Sequence, residues 1–346
     1  MTRIPFIVLS LAVGTILLCV SEVDAQGIDR IKRRNGIDSG KITKVSQLAV
    51  TISRGGVERS VPVEEITSIS FAGEPKELRS ARLAATGGRY ADALESLNKL
   101  SREKLDRKEV KQEFDFLLAS CSAKMALAGQ GKIEPATSAV SKFLTQNRES
   151  FHLTEAIELL GDLQMASGNV EAARKQYAKL GRAPSPYHKA RSAVLIGRLL
   201  QSEGKHAEAI AEFDKAIAAA ADNATAESQK LEATLQAAIS RSANGDVEES
   251  TKTVKQIIAE AEPEDTELLA RAYNALGDCF LTSDDKKAAR DAFLHVDLLF
   301  ASSSTDHAKA LYELSRLWGT LGNETRARDA KQRLLKEYPA SPWAKR

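Results

Sequence analysis

From residue 77 onward, apolar side chains recur at helical spacing, with a glycine or a substitute for it near each turn. The turn positions Gly168, Gly204, Gly245, Asp284 and Gly322 follow one another at intervals of 36, 41, 39 and 38 residues. Regular intervals of this size are typical of helical repeats, in which each unit is one pair of helices. The pattern therefore predicts a mostly α-helical array of stacked helix pairs.

Within each repeat, the residue types have mechanical roles. Small residues such as Gly197 and Ala209 stand where two helices are expected to cross closely, and a glycine such as Gly204 permits the positive φ that ends a helix. Aromatic residues such as Phe213 are predicted to fill the gap to the next repeat. Because each pair leaves an apolar face that only a neighbour can cover, we predict that stability is shared along the array.

Between residues 40 and 73 the apolar spacing changes to two, which is typical of strands. Apolar residues alternate with small or polar ones on both sides of Gly55-Gly56, a pair that favours a hairpin turn. This region predicts a small antiparallel β module, either a hairpin or a partial barrel. The preceding residues, 26–39, contain the basic run 30–34 and two turn pairs, so we predict a linker there.

The first 25 residues have the composition of a secretory signal peptide. Arg3 gives a positive start, the seventeen residues 4–20 are almost entirely apolar, and small side chains precede a cleavage position between Ala25 and Gln26. We therefore predict an exported protein, periplasmic or secreted. The alternative is an uncleaved amino-terminal membrane anchor, although this apolar run is short for a hydrocarbon core about 30 Å thick. Membrane association is predicted only in that case.

The repeated positions resemble those of exported tetratricopeptide repeat (TPR) proteins, over residues 77–346 and in six or seven copies. The clearest copy runs from Gly197 through Gly204 and Ala209 to Phe213. The resemblance implies a right-handed α-solenoid whose first helices line a concave groove for a peptide or protein. By alignment, the groove positions are Glu155, Glu158, Asp162, Arg191, Arg198, Asn274, Asp278, Tyr312 and Arg316.

Arg198 and Asn274 are the strongest candidates among these positions. Arginine can hold a carboxylate through two parallel hydrogen bonds, and asparagine can bond to an extended peptide backbone. We predict a non-catalytic protein–protein interaction scaffold of the cell envelope, with a protein or peptide partner on the concave face. The alternative is a structural component of an envelope assembly that binds no peptide. A strongly charged or aromatic-lined groove favours the first prediction.

Composition and motifs give little support to other functions. With 49 basic and 47 acidic residues the net charge is +2, so no field of one sign favours nucleic acid as a partner. No two of the five histidines have the spacing of zinc ligands, and no nucleotide-binding or nucleophile motif occurs, so we predict no metal, no cofactor and no catalysis. Cys121 and Cys279 lie several repeats apart and are predicted to be unpaired.

Overall fold

A computed structural model describes residues 27–339 and 341–346. The predicted signal peptide, residues 1–25, lies outside the described residues. Within them, the chain forms an antiparallel β-sheet followed by fourteen α-helices, which confirms the predicted helical repeat with a small β module. None of the described helices is both long and apolar enough to cross a bilayer.

The helices of the described chain form seven consecutive pairs. Each helix packs on its neighbours in the chain, and the first helices of successive pairs also touch one another, which is the packing of a stacked array. Their bounds are α1 Lys76–Thr86, α2 Tyr90–Leu97, α3 Lys108–Leu127, α4 Ile133–Gln146, α5 Leu153–Ala166, α6 Val170–Leu180, α7 Pro186–Ser202, α8 His206–Ala220, α9 Glu227–Ala243, α10 Val247–Glu260, α11 Thr266–Thr282, α12 Lys286–Leu299, α13 Ser304–Thr320 and α14 Glu324–Glu337.

The turn within a pair contains a residue in the left-handed conformation, as the sequence predicts. Gly168, Gly204 and Gly322 have φ values of 80°, 73° and 81°, which cost glycine little because it has no Cβ. Asp284 takes the equivalent place in the sixth pair with φ of 58°, a conformation that aspartate tolerates better than most residues. The repeat interval read from the sequence is therefore the interval of these turns.

Three glycines in first helices lie directly against an aromatic ring of the second helix in the same pair. A Cβ added to Gly197 would stand 2.5 Å from the nearest ring atom of Phe213, and the distance from Gly277 to Phe293 is also 2.5 Å. Gly161 is at least as close to the ring of Tyr177. A larger residue at these positions has to displace a buried ring. The rings therefore pack within their own pair, in addition to the predicted contact with the next pair.

The sheet has five strands in the order β4-β3-β2-β1-β5, and every neighbouring pair is antiparallel. The predicted hairpin at Gly55-Gly56 joins β3 to β4, with Arg54 opposite Val57. The bounds of the strands are β1 Asp29–Arg33, β2 Gly36–Val45, β3 Ala49–Arg54, β4 Val57–Pro62 and β5 Ile66–Ser70.

The prediction of a linker over residues 26–39 is wrong, because most of this segment forms β1 and the start of β2. Ile31 is fully buried in the core, while the basic residues on either side of it face solvent. Arg30 and Lys32 thus form the outer face of a strand, since successive strand residues point to opposite faces. Asn35-Gly36, a typical hairpin pair, lies where β1 turns into β2.

Asp29 ties the sheet to the helices. Its buried carboxylate accepts hydrogen bonds from the backbone N–H groups of Ile42 at 2.8 Å and Ala72 at 2.7 Å, and from the Arg107 guanidinium at 2.7 and 3.2 Å. Burial alone raises the pKa of Asp29, but these donors hold it below its usual value. One continuous apolar core joins the sheet to α1, α2 and α3.

Candidate functional site

The first helices of the last four pairs, α7, α9, α11 and α13, line a groove of about 760 Å³. Residues spaced three, four or seven apart share a helix face, so α7 presents Arg191 and Arg198 while α11 presents Asn274 and Asp278. A single 3₁₀ turn that follows α14, Pro342–Lys345, lies at one end of the groove. The groove is thus built from one equivalent face of successive repeats.

Most charged side chains of the groove are paired with one another. Arg271 lies 2.9 Å from Glu267, and the Lys309 ammonium contacts the Asp278 carboxylate. Arg198, in contrast, is exposed and forms no ion pair or hydrogen bond with the described part of the chain. A guanidinium in this situation is suited to an anionic group such as a carboxylate, which it can hold by two hydrogen bonds.

The groove also collects buried polar atoms that have no hydrogen-bond partner. Over residues 27–339 and 341–346, five buried side-chain nitrogen or oxygen atoms lack a partner, and four of them belong to residues that line this groove. Buried polar atoms in folded proteins are nearly always hydrogen-bonded, so these atoms are where the groove wall has hydrogen-bonding capacity that the protein itself does not use. The four atoms are His206 Nδ1, Ser228 Oγ, Gln229 Oε1 and Asn274 Oδ1.

Asn274 shows how one of these acceptors is held. Its Nδ2 donates hydrogen bonds to the backbone carbonyl of Asp306 at 3.1 Å and to Oδ1 of the same residue at 3.3 Å. The amide plane is thereby fixed with Oδ1 unpartnered. Asn274 and Gln229 are 2% and 7% exposed, so both amide oxygens are shielded from bulk water. A donor reaches such an acceptor only when the side chains around it move aside, and a backbone N–H group is the simplest donor of this kind.

Two sequence profiles described as "Tetratricopeptide repeat" match the chain, one over residues 158–224 and the other over residues 309–341. The chain belongs to the tetratricopeptide repeat family. The matched segments contain α7 and most of α13, which are the first and the last of the four groove helices. A comparison with curated protein sequences gave no significant match.

Two solved structures share the fold of this TPR protein. A Rap protein complexed with Competence and Sporulation Factor has a TM-score of 0.52 and 14% sequence identity, over 78% of this chain and 74% of the Rap chain. A tetratricopeptide repeat protein from Parabacteroides merdae has a TM-score of 0.50 and 16% identity, over 78% of this chain and 96% of that chain. Identities this low establish a common fold and nothing finer.

Four of the nine residues predicted for the groove line it. Arg191 and Asp278 are engaged there in ion pairs with Glu158 and Lys309 respectively, whereas Arg198 is available to a ligand. Asn274 lines the groove but is only 2% exposed, and its Oδ1 atom is left without a partner. The four residues are Arg191, Arg198, Asn274 and Asp278.

Tyr312 and Arg316 lie beside the groove and are not among its lining residues. The Tyr312 ring packs against Trp343 with a centroid distance of 5.3 Å, and the Arg316 guanidinium lies 5.6 Å from the Tyr312 ring centroid. Arg316 also approaches Glu313 at 3.6 Å. The 3₁₀ turn that holds Trp343 packs on this part of α13, so Tyr312 supports the end of the groove from behind.

Sequence reasoning assigned no groove residue to α9, although α9 contributes Ser228, Gln229 and Glu232. A usable signal existed. Arg191 stands six residues before Gly197, and Glu232 stands six residues before Ala238, the residue that replaces the glycine in this copy. Counting six residues back from the small residue of each first helix identifies the groove face of α9. This spacing does not reveal which polar atoms lack partners.

A second cavity, of about 420 Å³, lies between the sheet and helices α3, α5 and α7. A buried ionic cluster forms part of its wall, in which Arg82 donates to Glu113 at 2.6 Å and to Glu74 at 2.7 Å, and His152 Nε2 lies 2.8 Å from Glu113. Burial opposes ionisation of Glu113, but Arg82 and His152 lower its pKa to about 2. Its charged groups satisfy one another, so we interpret the cluster as structural.

The two cysteines of the described chain, Cys121 on α3 and Cys279 on α11, are buried and unpaired. Burial raises the pKa of their thiols to about 11 and about 12, so both are protonated at neutral pH. Among the residues that the structure describes, no three His, Cys, Asp or Glu side chains are grouped as metal ligands.

Proposed function

We propose that this TPR protein is a non-catalytic interaction scaffold that binds a peptide, or an extended segment of a partner protein, in the groove. The observation that carries the proposal is the concentration of unpartnered buried polar atoms at this one surface, next to the exposed Arg198. The family supports an interaction role, because stacked TPR pairs offer long concave surfaces for partners.

The chemistry of these groups matches an extended polypeptide. Gln229 Oε1 and Asn274 Oδ1 accept hydrogen bonds, and a peptide backbone supplies an N–H donor at nearly every residue. A buried acceptor without a partner costs about 1–3 kcal/mol, and a ligand that satisfies it recovers much of that. Arg198 provides a site for an acidic side chain or a terminal carboxylate. The groove therefore favours an extended chain with an acidic group.

The structural comparison is consistent with this proposal. The Rap structure contains a bound factor on a protein with the same fold as this chain, so the fold is compatible with a complex. At 14% identity it carries no information about the residues involved. The binding mode proposed for this chain rests on its own groove residues.

We further propose that the protein acts outside the cytoplasm, in the cell envelope or as a secreted protein. The support is the sequence of residues 1–25, with its basic start, apolar run and small residues before Gln26. An uncleaved anchor places the same groove at a membrane surface. A non-cytoplasmic location requires partners that are themselves exported or exposed at the surface.

A structural envelope component without a peptide ligand is the second candidate. The observation in its favour is a set of exposed leucines near the ends of α12 and α14, Leu298, Leu299 and Leu335, at 73%, 65% and 46% exposure. Apolar side chains exposed in this way suit an assembly contact. The groove, however, is charged along its length, which favours capture of a ligand over stacking of apolar faces.

Selection from a random peptide library displayed on phage tests the proposal and requires no candidate partner at the outset. Enriched peptides are synthesised and their affinities measured for the wild-type chain and for Arg198→Ala and Gln229→Leu. Loss of a charge-assisted hydrogen bond is worth about 1.5–3 kcal/mol, so Arg198→Ala is expected to weaken binding by roughly ten- to a hundredfold. Arg79→Ala, which removes an exposed arginine on α1 remote from the groove lining, is the matched control.

Gln229→Leu separates a binding role from a structural role. The substitution removes an unpartnered amide oxygen and keeps an apolar side chain of similar size, so stability is expected to stay the same or rise slightly. Affinity for the selected peptides is expected to fall. If no peptide is enriched, or if the enriched peptides bind Arg198→Ala as tightly as wild type, the groove does not bind peptides in the way proposed.

A further inference from the structure

Residues 341–346 lie at one end of the groove. Trp343 and Arg346 are among the lining residues. The half-buried Trp343 ring packs 5.3 Å from the ring centroid of Tyr312, and Lys309 Nζ lies 6.0 Å from the Trp343 ring centroid. One end of the groove is therefore already filled by an aromatic side chain of the protein itself.

Basic side chains extend these contacts. The Arg346 guanidinium lies 4.3 Å from the Trp343 ring centroid, a distance typical of a cation–π contact. Its positive charge also acts on the carboxyl group of Glu313, which is 8% exposed and whose neighbour Asp278 carries a like charge. The segment thus adds a cation near the Glu313 carboxyl group.

Lys345 connects the segment to a distant part of the array. A Cβ built on Gly129, in the turn between α3 and α4, would overlap with Lys345 Nζ. The segment therefore touches the seventh pair through Trp343 and the turn of the second pair through Lys345. Both contacts are made by one short turn, so the turn between α3 and α4 lies close to the seventh pair.

We propose that this end of the groove is a site for an aromatic side chain flanked by basic residues, and that residues 341–346 occupy it when no partner is bound. The inference rests on the proposed function and specifies the chemistry of one end of the partner. Tyr312, which lies beside this end of the groove, supplies the surface for the ring, and the Glu313 carboxyl group supplies complementary charge. A partner segment of the same chemistry binds by displacing the protein's own segment.

The tether makes this competition strong. A segment held by a short linker has an effective concentration on the order of millimolar. The apparent affinity of a competing peptide is its intrinsic affinity multiplied by the fraction of molecules in which the site is free. For a segment whose own dissociation constant is on the order of 100 μM, the reduction is roughly tenfold. Weakening the internal contact is therefore expected to strengthen binding of an external peptide.

The test uses the full chain and a defined probe. A fluorescein-labelled synthetic peptide with the sequence of residues 337–346 is titrated with wild type and with Trp343→Ala/Arg346→Ala, and fluorescence anisotropy gives the affinities. The double variant is expected to bind the probe at least about tenfold more tightly than wild type. Lys331→Ala, which removes an exposed cation of α14, is the control and is expected to bind like wild type.

Further variants localise the effect. Adding Tyr312→Ala to the double variant is expected to abolish binding, and a probe with alanine in place of its tryptophan is expected not to bind. Circular dichroism confirms that each variant keeps its helical content. Equal affinity of wild type and double variant for the probe, or no binding to either, overturns the inference. If the peptides selected by phage display still depend on Arg198 in that case, the proposed function stands and only the self-occupied site is refuted.

Discussion

Gly197→Ala tests the packing rule on which the whole array depends. The added Cβ lies 2.5 Å from Cε1 and 2.8 Å from Cδ1 and Cζ of Phe213, a ring with 0% exposure. Contacts below 3.0 Å force the ring or the helix to move. Overpacking of a dense core typically costs about 1–3 kcal/mol. Three ring atoms are affected at once, so we expect a value near the upper limit.

Helix propensity acts in the opposite direction. Replacing glycine by alanine inside a helix stabilises it by about 1 kcal/mol, because alanine loses less backbone entropy on folding. The expected net effect of Gly197→Ala is therefore a loss of about 2 kcal/mol in the free energy of unfolding. Gly319→Ala in α13 is the matched control, since the nearest atom to its Cβ is a Glu324 side-chain oxygen at 3.9 Å. This variant is expected to gain about 0.5–1 kcal/mol.

Chemical denaturation followed by far-ultraviolet circular dichroism measures both variants, and hydrogen exchange of the α7 and α8 amides localises the change. Combining Gly197→Ala with Phe213→Leu, which removes the obstructing ring atoms, is expected to show a favourable coupling of about 1 kcal/mol or more. Equal stabilities of Gly197→Ala and Gly319→Ala would refute the reasoning, because the two substitutions differ mainly in the space available to the new methyl group.

Three further predictions concern the sheet, the ionic cluster and export. Asp29→Asn weakens the contact with Arg107 and is expected to lower stability by about 2 kcal/mol at neutral pH. Because the folded pKa of Asp29 is depressed, the difference from wild type in denaturation midpoint is expected to shrink as pH falls below about 4. Glu113 has a folded pKa of about 2, below its unfolded value, so its contribution is present above about pH 4.3 and is lost on acidification. Between about pH 5 and 2, the denaturation midpoint of Glu113→Gln is therefore expected to fall less than that of wild type. Mass spectrometry of the mature chain is expected to show Gln26 as the first residue; retention of residues 1–25 would support the anchor.

The repeat could be predicted because its signals are local and recur. Gly197 and Phe213 hold the same relation as Gly277 and Phe293, so each copy supports the interpretation of the others. Strand β1 carries no such support. The only hydrophobic residue of β1 is Ile31, which stands within the basic run. The strand forms because β2 and β5 pair with β1 on its two sides. That pairing is a tertiary effect.

The candidate site could be predicted only in part, for a related reason. Alignment places Arg198 and Asn274 on the groove side of their helices, which is a property of helix periodicity. Whether the Asn274 amide is exposed depends on Asp306, which lies 32 residues further along the chain. The Asp29–Arg107 contact spans 78 residues. Interactions at such separations leave no periodic pattern in the sequence.

The position of the sheet sets the length of partner that the groove can hold. Glu155 and Glu158, which alignment assigns to the groove face, line the cavity beneath β5, so the sheet covers the first-helix face before α7. The open part runs across four first helices, α7 to α13. Adjacent packed helices lie about 10 Å apart, giving a span of about 30 Å. An extended chain advances about 3.3 Å per residue, so the span holds roughly nine residues.

Trimming a selected peptide from either end should therefore reduce its affinity stepwise once its length falls below about nine residues. Extension beyond that length should bring no gain, because the sheet closes one end of the groove and the turn at Pro342–Lys345 lies at the other. Isothermal titration calorimetry on a series of truncated and extended peptides measures this dependence. A steady gain in affinity up to twice that length would mean that the partner continues past the sheet, and the sheet would then be a contact surface in its own right.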